Sequence, residues 1–342
     1  MNYQPSALAL DNHMKATLNN SVLIALGMHR SGTSALTGVL QCVGVHLGER
    51  LYAPQPGVND KGFYEHGPVA DINDRILYTL GSAWDDILPL DPAWFEDERL
   101  HPLAQRLRRV LQRDFSKVPL WGLKDPRMCR LMAYWLPLLS SLSVQPYFML
   151  VVRHPMEVVG SLAKRDRFSA EKSLLLWLEH NLEAERLTRG YPRLVVTFDD
   201  LLRNPLILLK RTQANLGLEF PIPLPKARDR IQTFVTPALR RQQARELPET
   251  FPLGDVVNTV FETFLQAAAS EGGEPSQSVL DSARDRLEQH RAAYPALLVE
   301  QLRLIGRQRG YAQALVDRIF ASWSWPLGKP WRFLERFSGG DI

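Results

Sequence analysis

The sequence predicts an α/β fold in which a parallel β-sheet is flanked by helices on both faces, with a helical C-terminal extension. Two observations predict it. Four short apolar runs are each followed by a stretch with apolar residues at helical spacing, and strand signals stop after Pro221. Because parallel strands are joined by crossover helices, repeated strand–helix units indicate three layers. We therefore expect an α/β domain over residues 21–220 and the extension over residues 221–342.

The strands and helices follow in order along the chain. Residues 21–27 are apolar and rich in β-branched side chains, which predicts a strand buried on both faces. Apolar residues at helical spacing in residues 33–43 predict the helix that follows this strand. The other three units are predicted at residues 120–124 and 128–139, 147–152 and 156–164, and 193–198 and 205–216. Further helices are predicted at residues 97–114, 171–189, 251–269 and 279–320, with a loop at 52–61 and a polar linker at 270–278.

Composition and charge exclude several classes of protein. The 342 residues are 45% hydrophobic and 23% charged, with a net charge of +4, which is typical of a globular chain. The sequence contains no long block of like charges of the kind that binds nucleic acid. Its apolar runs are shorter than the ~18 residues of a membrane helix. Cys42 and Cys129 lie in apolar stretches without metal-ligand spacing, and residues 1–20 lack the apolar core of a secretory signal. These features predict a cytoplasmic protein with two buried thiols.

The most informative segment is the loop after the first strand, residues 27–34, with the sequence GMHRSGTS. Two glycines five residues apart let successive backbone N–H groups point inward, and the N-terminus of the following helix adds partial positive charge. The spacing matches the P-loop pattern G-x-x-x-x-G-K-[ST] except that Thr33 replaces the lysine, while Arg30 supplies a cation earlier. We expect an anionic donor, bound without a metal ion, at Gly27, His29, Arg30, Ser31, Gly32, Thr33 and Ser34.

Residues 27–34 also fit G-x-x-R-S-G-T-[ST], and in this the sequence resembles the sulfotransferases that use 3′-phosphoadenosine 5′-phosphosulfate (PAPS). In that family a strand ends in an arginine, a serine follows eight residues later, and the two hold the donor's 3′-phosphate; Arg153 and Ser161 match this pattern. The resemblance covers about residues 21–216. It implies a P-loop-type fold, PAPS as co-substrate, adenosine 3′,5′-bisphosphate as product and no metal.

Further segments resemble members of the family that act on glycans and on tyrosine. Residues 121–127 resemble a Lys-Asp-Pro segment, which implies that Lys124 and Arg30 stabilise the charge that develops during transfer. Gly48-Glu49 and the Asn-x-x-Gly-x-x-Glu stretch at 59–65 resemble bacterial enzymes with carbohydrate acceptors. The acceptor implied is a glycan or a lipid-linked saccharide.

The sequence does not decide which of two carboxylates is the general base. Glu49 lies closest to the position that the tyrosylprotein enzymes imply, whereas Glu65 ends a glycine- and aromatic-containing loop, which favours it slightly. His66 is a further candidate. Residues 198–201 resemble the family's Tyr-Glu-Asp-Leu segment, but Phe198 lacks the tyrosine hydroxyl, so we expect no catalytic role there.

Two other functions fit parts of the pattern. A nucleotide-dependent kinase would use the same loop, although the missing lysine disfavours it, and a non-catalytic relative would keep the fold as a binding module in polysaccharide assembly. Residues 323–337 mix aromatic and basic side chains, which fits either contact with the inner face of the membrane or packing on the protein's own domain.

Overall fold

The centre of the molecule is a parallel sheet of four strands in the order β2-β1-β3-β4. The computed structural model describes residues 20–54, 62–240, 242–243, 246–270 and 273–322, with side chains as far as residue 316. The strands are β1 (Ser21–Leu26), β2 (Leu120–Lys124), β3 (Gln145–Val152) and β4 (Arg193–Thr197). All three pairings are parallel, so the α/β fold class predicted from the sequence is confirmed.

The described helices follow the strands and flank the sheet. They are α1 (Thr33–Cys42), α2 (Gly67–Thr79), α3 (His101–Phe115), α4 (Met128–Ser141), α5 (Pro155–Asp166), α6 (Ala170–Leu187), α7 (Phe198–Arg203), α8 (Pro205–Leu216), α9 (Leu224–Phe234), α10 (Gly254–Ala269), α11 (Gln277–Ala292) and α12 (Ala296–Ser322).

Strand β1 divides the interior into two cores because its side chains alternate between the faces of the sheet. Val22, Ile24 and Leu26 enter one core, which holds side chains of α2 to α6, α10 and α11. Leu23 and Ala25 enter the other core, which holds side chains of α1 and α7 to α9. Helices therefore cover both faces, as the strand–helix succession predicts.

Three helices were not predicted from the sequence, namely α2, α7 and α9. The predicted helix at 279–320 is divided in two, since α11 ends at Ala292 and α12 begins at Ala296. Helices α9 and α10 pack into the same cores as the sheet, while the predicted boundary at residue 220 stays a prediction. Residues 323–337 lie outside the described part of the chain.

Helix α12 approaches the C-terminal end of α2 and the loop after it very closely. A Cβ atom on Gly306 would lie 2.0 Å from the carbonyl oxygen of Gly81, and one on Gly310 would lie 2.4 Å from that of Tyr78. Glycine at both positions therefore lets two backbones meet. Over the described residues, no helix is both long and apolar enough to cross a membrane.

Candidate active site

The candidate site is a cleft at the carboxyl ends of the parallel strands, where open α/β sheets bind their ligands. The loop at residues 27–34 follows β1, Lys124 ends β2, Arg153 follows β3, and Phe198 follows β4. All four strands therefore deliver a residue to one place. The predicted site residues that line the cleft are His29, Arg30, Gly32, Thr33, Ser34, Glu65, Lys124, Arg153 and Ser161.

The loop after β1 takes its shape from residues in the left-handed region of backbone conformation. Gly27, Arg30 and Gly32 have φ values of 154°, 71° and 95°. A Cβ atom on Gly27 would lie 2.4 Å from the carbonyl oxygen of Val151, and one on Gly32 would lie 2.3 Å from Cδ2 of Phe198. Only glycine fits both places, so the loop is held against β3 on one side and an aromatic ring on the other.

The thiol of Cys129 contacts the loop from the side of the protein interior. The backbone N–H of Gly27 donates a hydrogen bond to Sγ of Cys129 at 3.1 Å. Cys129 is fully buried, and burial raises the pKa of its thiol to about 12. The Gly27 amide thus points to the protein interior, which makes Gly27 a positioning residue for the loop. Ser31 is also fully buried, and its hydroxyl has no hydrogen-bond partner among the described residues.

Arg153 connects the loop to helix α5. Its Nη1 donates to the carbonyl oxygen of Arg30 at 3.1 Å, and its Nε donates to Glu157 at 2.7 Å. The guanidinium lies 4.4 Å from the ring centroid of Phe198. Burial lowers the pKa of Arg153, and Glu157 partly offsets that shift. Arg153 therefore holds the loop and the neighbouring ring in place.

Two polar groups in this part of the cleft have the chemistry that a phosphate requires. Nη2 of Arg153 is buried and has no acceptor within the described residues, and a buried donor without a partner is costly. Ser161 lines the same cleft and accepts a hydrogen bond from Nε of Arg30 at 2.8 Å. A bound anion would supply the missing acceptor, and the first turn of α1 adds N–H groups without helical partners. The residues present fit a nucleotide with two anionic groups.

A buried ion pair lies on another wall of the cleft. Nζ of Lys124 is 2.6 Å from a carboxylate oxygen of Glu65, and it also donates to the carbonyl oxygen of Phe63 at 3.0 Å. The Lys124 side chain is 4% exposed and that of Glu65 is 8% exposed. The same carbonyl accepts a hydrogen bond from the hydroxyl of Ser34 at 3.2 Å. The loop that carries Glu65 is therefore tied to both the anion-binding loop and strand β2.

The turn after β2 fixes the direction of Lys124. One carboxylate oxygen of Asp125 accepts from the side chain of Asn73 at 2.8 Å, and the other accepts from the backbone N–H and Nη1 of Arg127 at 3.0 and 2.9 Å. Trp135 donates to Asn73 at 3.0 Å. Asp125 therefore stabilises the turn after β2 and does not line the cleft. Lys124 is the polar side chain of residues 124–127 that lines it.

The other candidate bases lie away from the cleft. Glu49 is exposed on the surface. His66 is buried beside Gly48, with Nε2 3.0 Å from Asp114, and burial lowers the pKa of its imidazole. Of the candidates left open by the sequence, Glu65 is the one that the structure brings to the other site residues. Across the described residues, no group of three His, Cys, Asp or Glu side chains could hold a metal ion.

Several residues of the cleft were not predicted from the sequence. Phe198 carries no reacting group, yet it packs on Gly32 and lies beneath Arg153. Arg165, Leu239 and Gln242 also line the cleft. The segment resembling Tyr-Glu-Asp-Leu was the available signal for Phe198, whereas nothing local to the other three indicated that they would meet the loop.

Comparisons with known proteins give low similarity. No protein-family model matches the sequence, and no curated protein matches it. Among solved structures, the sulfotransferase domain of the Synechococcus PCC 7002 olefin synthase is 21% identical, with a TM-score of 0.45, over 74% of this chain and 97% of that one. A sulfotransferase domain from the curacin biosynthetic pathway is 14% identical, with a TM-score of 0.36, over 86% and 97%. Similarity at this level does not decide the reaction.

The cleft brings together three chemical capabilities. Arg30, Ser161 and Arg153 bring together hydrogen-bond donors that suit a phosphate group, and the loop with the first turn of α1 offers N–H groups that suit a second anion. Glu65 is a proton acceptor in contact with a cation, Lys124. A base beside two anion sites suits the transfer of a charged group to a hydroxyl.

Proposed function

We propose that the protein is a sulfotransferase that moves a sulfuryl group from PAPS to a hydroxyl of a carbohydrate or glycoconjugate. The observation that carries the proposal is that one cleft is lined by the loop, by Arg153 with Ser161, and by the Glu65–Lys124 pair. These groups come from segments far apart in the sequence. Their convergence supports a donor with anionic groups at two positions and a reacting hydroxyl beside a base.

In the proposed reaction the acceptor oxygen attacks sulfur while Glu65 takes the hydroxyl proton. The new bond joins that oxygen to sulfur, the bond from sulfur to the bridging oxygen breaks, and the electron pair remains on the 5′-phosphate of the product. Arg30, Lys124 and the N-terminal amides of α1 stabilise this negative charge. Glu65 then releases its proton to water.

Lys124 has two roles in this proposal. Without donor it pairs with Glu65 at 2.6 Å and neutralises a carboxylate in a desolvated place. As charge develops on the leaving oxygen, the ammonium group is attracted to that oxygen as well. The pair therefore couples proton removal on one side of sulfur to charge stabilisation on the other.

Thr33 favours sulfuryl over phosphoryl transfer. The P-loop lysine of nucleotide triphosphatases neutralises the β- and γ-phosphates, and here a hydroxyl occupies that position. A transferred sulfuryl group carries less charge than a phosphoryl group, so a single Arg30 with hydroxyls suits it. The cytoplasmic location, and contact of the acceptor or the chain with the inner face of the membrane, stay predictions.

Two measurements test the proposal. Adenosine 3′,5′-bisphosphate should raise the melting temperature more than Mg-ATP does at the same concentration, because the Arg153 site receives a 3′-phosphate. Incubation with ³⁵S-labelled PAPS and a panel of bacterial glycans and lipid-linked saccharides should then yield a labelled glycan. Preference for Mg-ATP would favour a kinase, and donor binding without any labelled product from the panel would favour a non-catalytic module.

A further inference from the structure

Helix α12 has an apolar face that the described part of the chain leaves exposed. Six large apolar side chains on this helix have between 39% and 68% of their surface exposed. They are Leu297, Leu298, Leu304, Ile305, Tyr311 and Leu315, and we call them the α12 face. The rest of the described chain exposes two further large apolar side chains, Ile207 and Leu265. Exposed apolar side chains concentrated in this way on one helix mark a surface that binds a partner.

The residues of the α12 face share one side of the helix. Leu297, Leu304 and Tyr311 follow one another at intervals of seven residues, which is about two helical turns, and Leu315 comes four residues after Tyr311. Gly306 lies nine residues from Leu297, which is about two and a half turns. Because Gly306 is on the side that meets the loop after α2, the α12 face points away from the rest of the protein.

The C-terminal part of the sequence carries most of the net positive charge. Residues 296–342 contain seven Lys and Arg residues and four Asp and Glu residues, which gives +3 of the chain's total of +4. Residues 323–337, which follow α12 in the sequence, also contain three Trp and two Phe. An apolar helix face within a basic, aromatic-rich sequence is typical of segments that lie on an anionic membrane surface.

An arginine lies at the edge of the α12 face. Arg307 comes three residues after Leu304 and four before Tyr311, so it neighbours both on the helix surface. It is exposed, and the described side chains include no carboxylate paired with it. Arg303 and Arg309 pair with aspartates at 3.1 Å, and the argument does not need them. Arg307 is therefore the cation that is placed to meet a lipid phosphate.

Two glutamines decide between a lipid surface and a second protein surface. Gln301 lies between Leu297 and Leu304 on the helix, and Gln308 lies between Leu304 and Tyr311. A dry contact with another copy of the chain would bury these amides, which is costly unless each finds a hydrogen-bond partner. At the level of lipid headgroups the amides stay hydrated while the neighbouring apolar side chains enter the interface. The composition of the face therefore favours the lipid surface.

We propose that the α12 face binds the surface of an anionic lipid membrane, with its apolar side chains in the interface and Arg307 against the lipid phosphates. This inference goes beyond the proposed function and does not depend on it. The described residues that line the cleft include none from α12, so donor binding and membrane binding can be measured separately.

Sedimentation of the full chain with lipid vesicles tests the inference. The probes are vesicles of phosphatidylcholine alone and of phosphatidylcholine with an equal part of phosphatidylglycerol. We expect tighter binding to the anionic vesicles and weaker binding as salt is added, because salt screens the attraction. Replacing both Leu297→Gln and Leu304→Gln in one chain should weaken this binding by about 10- to 100-fold. Both side chains are exposed, so the variant should melt at the temperature of the parent chain.

Two further variants locate the binding surface. Ile207→Gln changes an exposed aliphatic side chain on α8 and should leave vesicle binding unchanged. Arg307→Gln should weaken binding to the anionic vesicles by about fivefold and leave binding to phosphatidylcholine unchanged.

Several results would overturn the inference. The parent chain could fail to bind anionic vesicles, or it could bind phosphatidylcholine equally well. The double leucine variant could bind anionic vesicles like the parent chain. Light scattering could show a dimer that the double variant converts to a monomer, which would assign the α12 face to a second copy of the chain. All variants should bind adenosine 3′,5′-bisphosphate equally, and failure of the parent chain to bind that nucleotide would instead contradict the proposed function.

Discussion

On the proposed donor side of the cleft the polar groups come from two adjacent strand–helix units, whereas on the proposed acceptor side they come from the loop before α2 and from strand β2. The donor side comprises residues 27–34, Arg153 and Ser161, which follow the neighbouring strands β1 and β3. The proposed acceptor side comprises Glu65 and Lys124. Backbone conformation sets the position of the groups on the donor side. Side-chain pairs between distant segments, such as Glu65 with Lys124, set the position of the groups on the acceptor side. Substitutions should therefore act differently on the two sides.

The largest effect is expected on the acceptor side, from Glu65→Gln. The amide keeps the shape of the side chain but cannot accept the proton, so kcat should fall by about 10²- to 10⁴-fold. Affinity for adenosine 3′,5′-bisphosphate, measured by calorimetry, should stay the same. Glu49→Gln, at an exposed carboxylate, is the control and should leave kcat unchanged. Equal and mild losses in both variants would remove Glu65 from the role of base.

The next effect is expected on the donor side, from Arg153→Gln. The variant loses the buried guanidinium whose Nη2 has no described partner, so affinity for adenosine 3′,5′-bisphosphate should fall by about 10- to 100-fold. Affinity for ADP, which lacks the 3′-phosphate, should change much less. Arg203→Gln, at an exposed arginine, is the control. An equal loss for both nucleotides would show that Arg153 only supports the loop.

Alanine substitutions at two glycines distinguish the free energy lost to backbone strain from the free energy lost to a steric clash. Gly32 and Gly190 have φ values of 95° and 80°, but only Gly32 has a ring where a Cβ atom would lie. Gly32→Ala should lower the free energy of unfolding by about 1–3 kcal/mol more than Gly190→Ala does, since Phe198 must move. Urea denaturation measures the difference. Equal losses would mean that Phe198 gives way without cost.

The smallest effect per unit of the variable changed is a pH dependence of stability from the buried histidines behind the proposed acceptor side. Burial lowers the pKa of His180 to about 3, and His180 lies 6.2 Å from His29 between ring centroids. Between pH ~6.5 and ~3 the unfolded chain binds a proton at this residue that the folded chain does not. Stability is therefore fully present above that window and falls as the pH drops, by at most about 1.4 kcal/mol per pH unit for this residue.

Replacing His180 tests that assignment. His180→Phe should flatten the pH dependence of unfolding below pH 6.5, although it also removes the hydrogen bond from Nδ1 to the carbonyl oxygen of Leu176. The change in slope, measured by urea denaturation at several pH values, distinguishes the titration from that loss. His101→Gln, at an exposed histidine, should leave the slope as it was.

Much of the proposed donor side could be predicted because the residues that form it lie close together in the sequence. The apolar runs that form β1 and β3, the glycines of the loop and the spacing from Arg153 to Ser161 all lie within single strand–helix units. The same holds for the sheet, since four repeated units predict parallel strands. The predicted bounds of these strands differ from the observed ones by at most two residues.

The acceptor side could not be predicted to the same degree. Glu65 and Lys124 are 59 residues apart, and the sequence of a loop does not encode the strand it will meet. Helix α2, which supplies Asn73, begins with Gly-Pro and contains Asn and Asp, so its periodicity is weak. Helix α9 was not predicted, although Pro225 lies in its first turn, where proline is favourable.

The hydrogen bond from the Gly27 amide to Cys129 allows the proposed nucleotide cradle, residues 27–34, to be studied by chemical labelling. A thiol with a raised pKa and no exposed surface cannot react with iodoacetamide until the strand end above it separates. Cys42 is partly exposed and provides an internal reference in the same molecule. The ratio of the two alkylation rates thus reports how often the cradle opens, and a nucleotide that stabilises the closed form should slow the reaction of Cys129 alone.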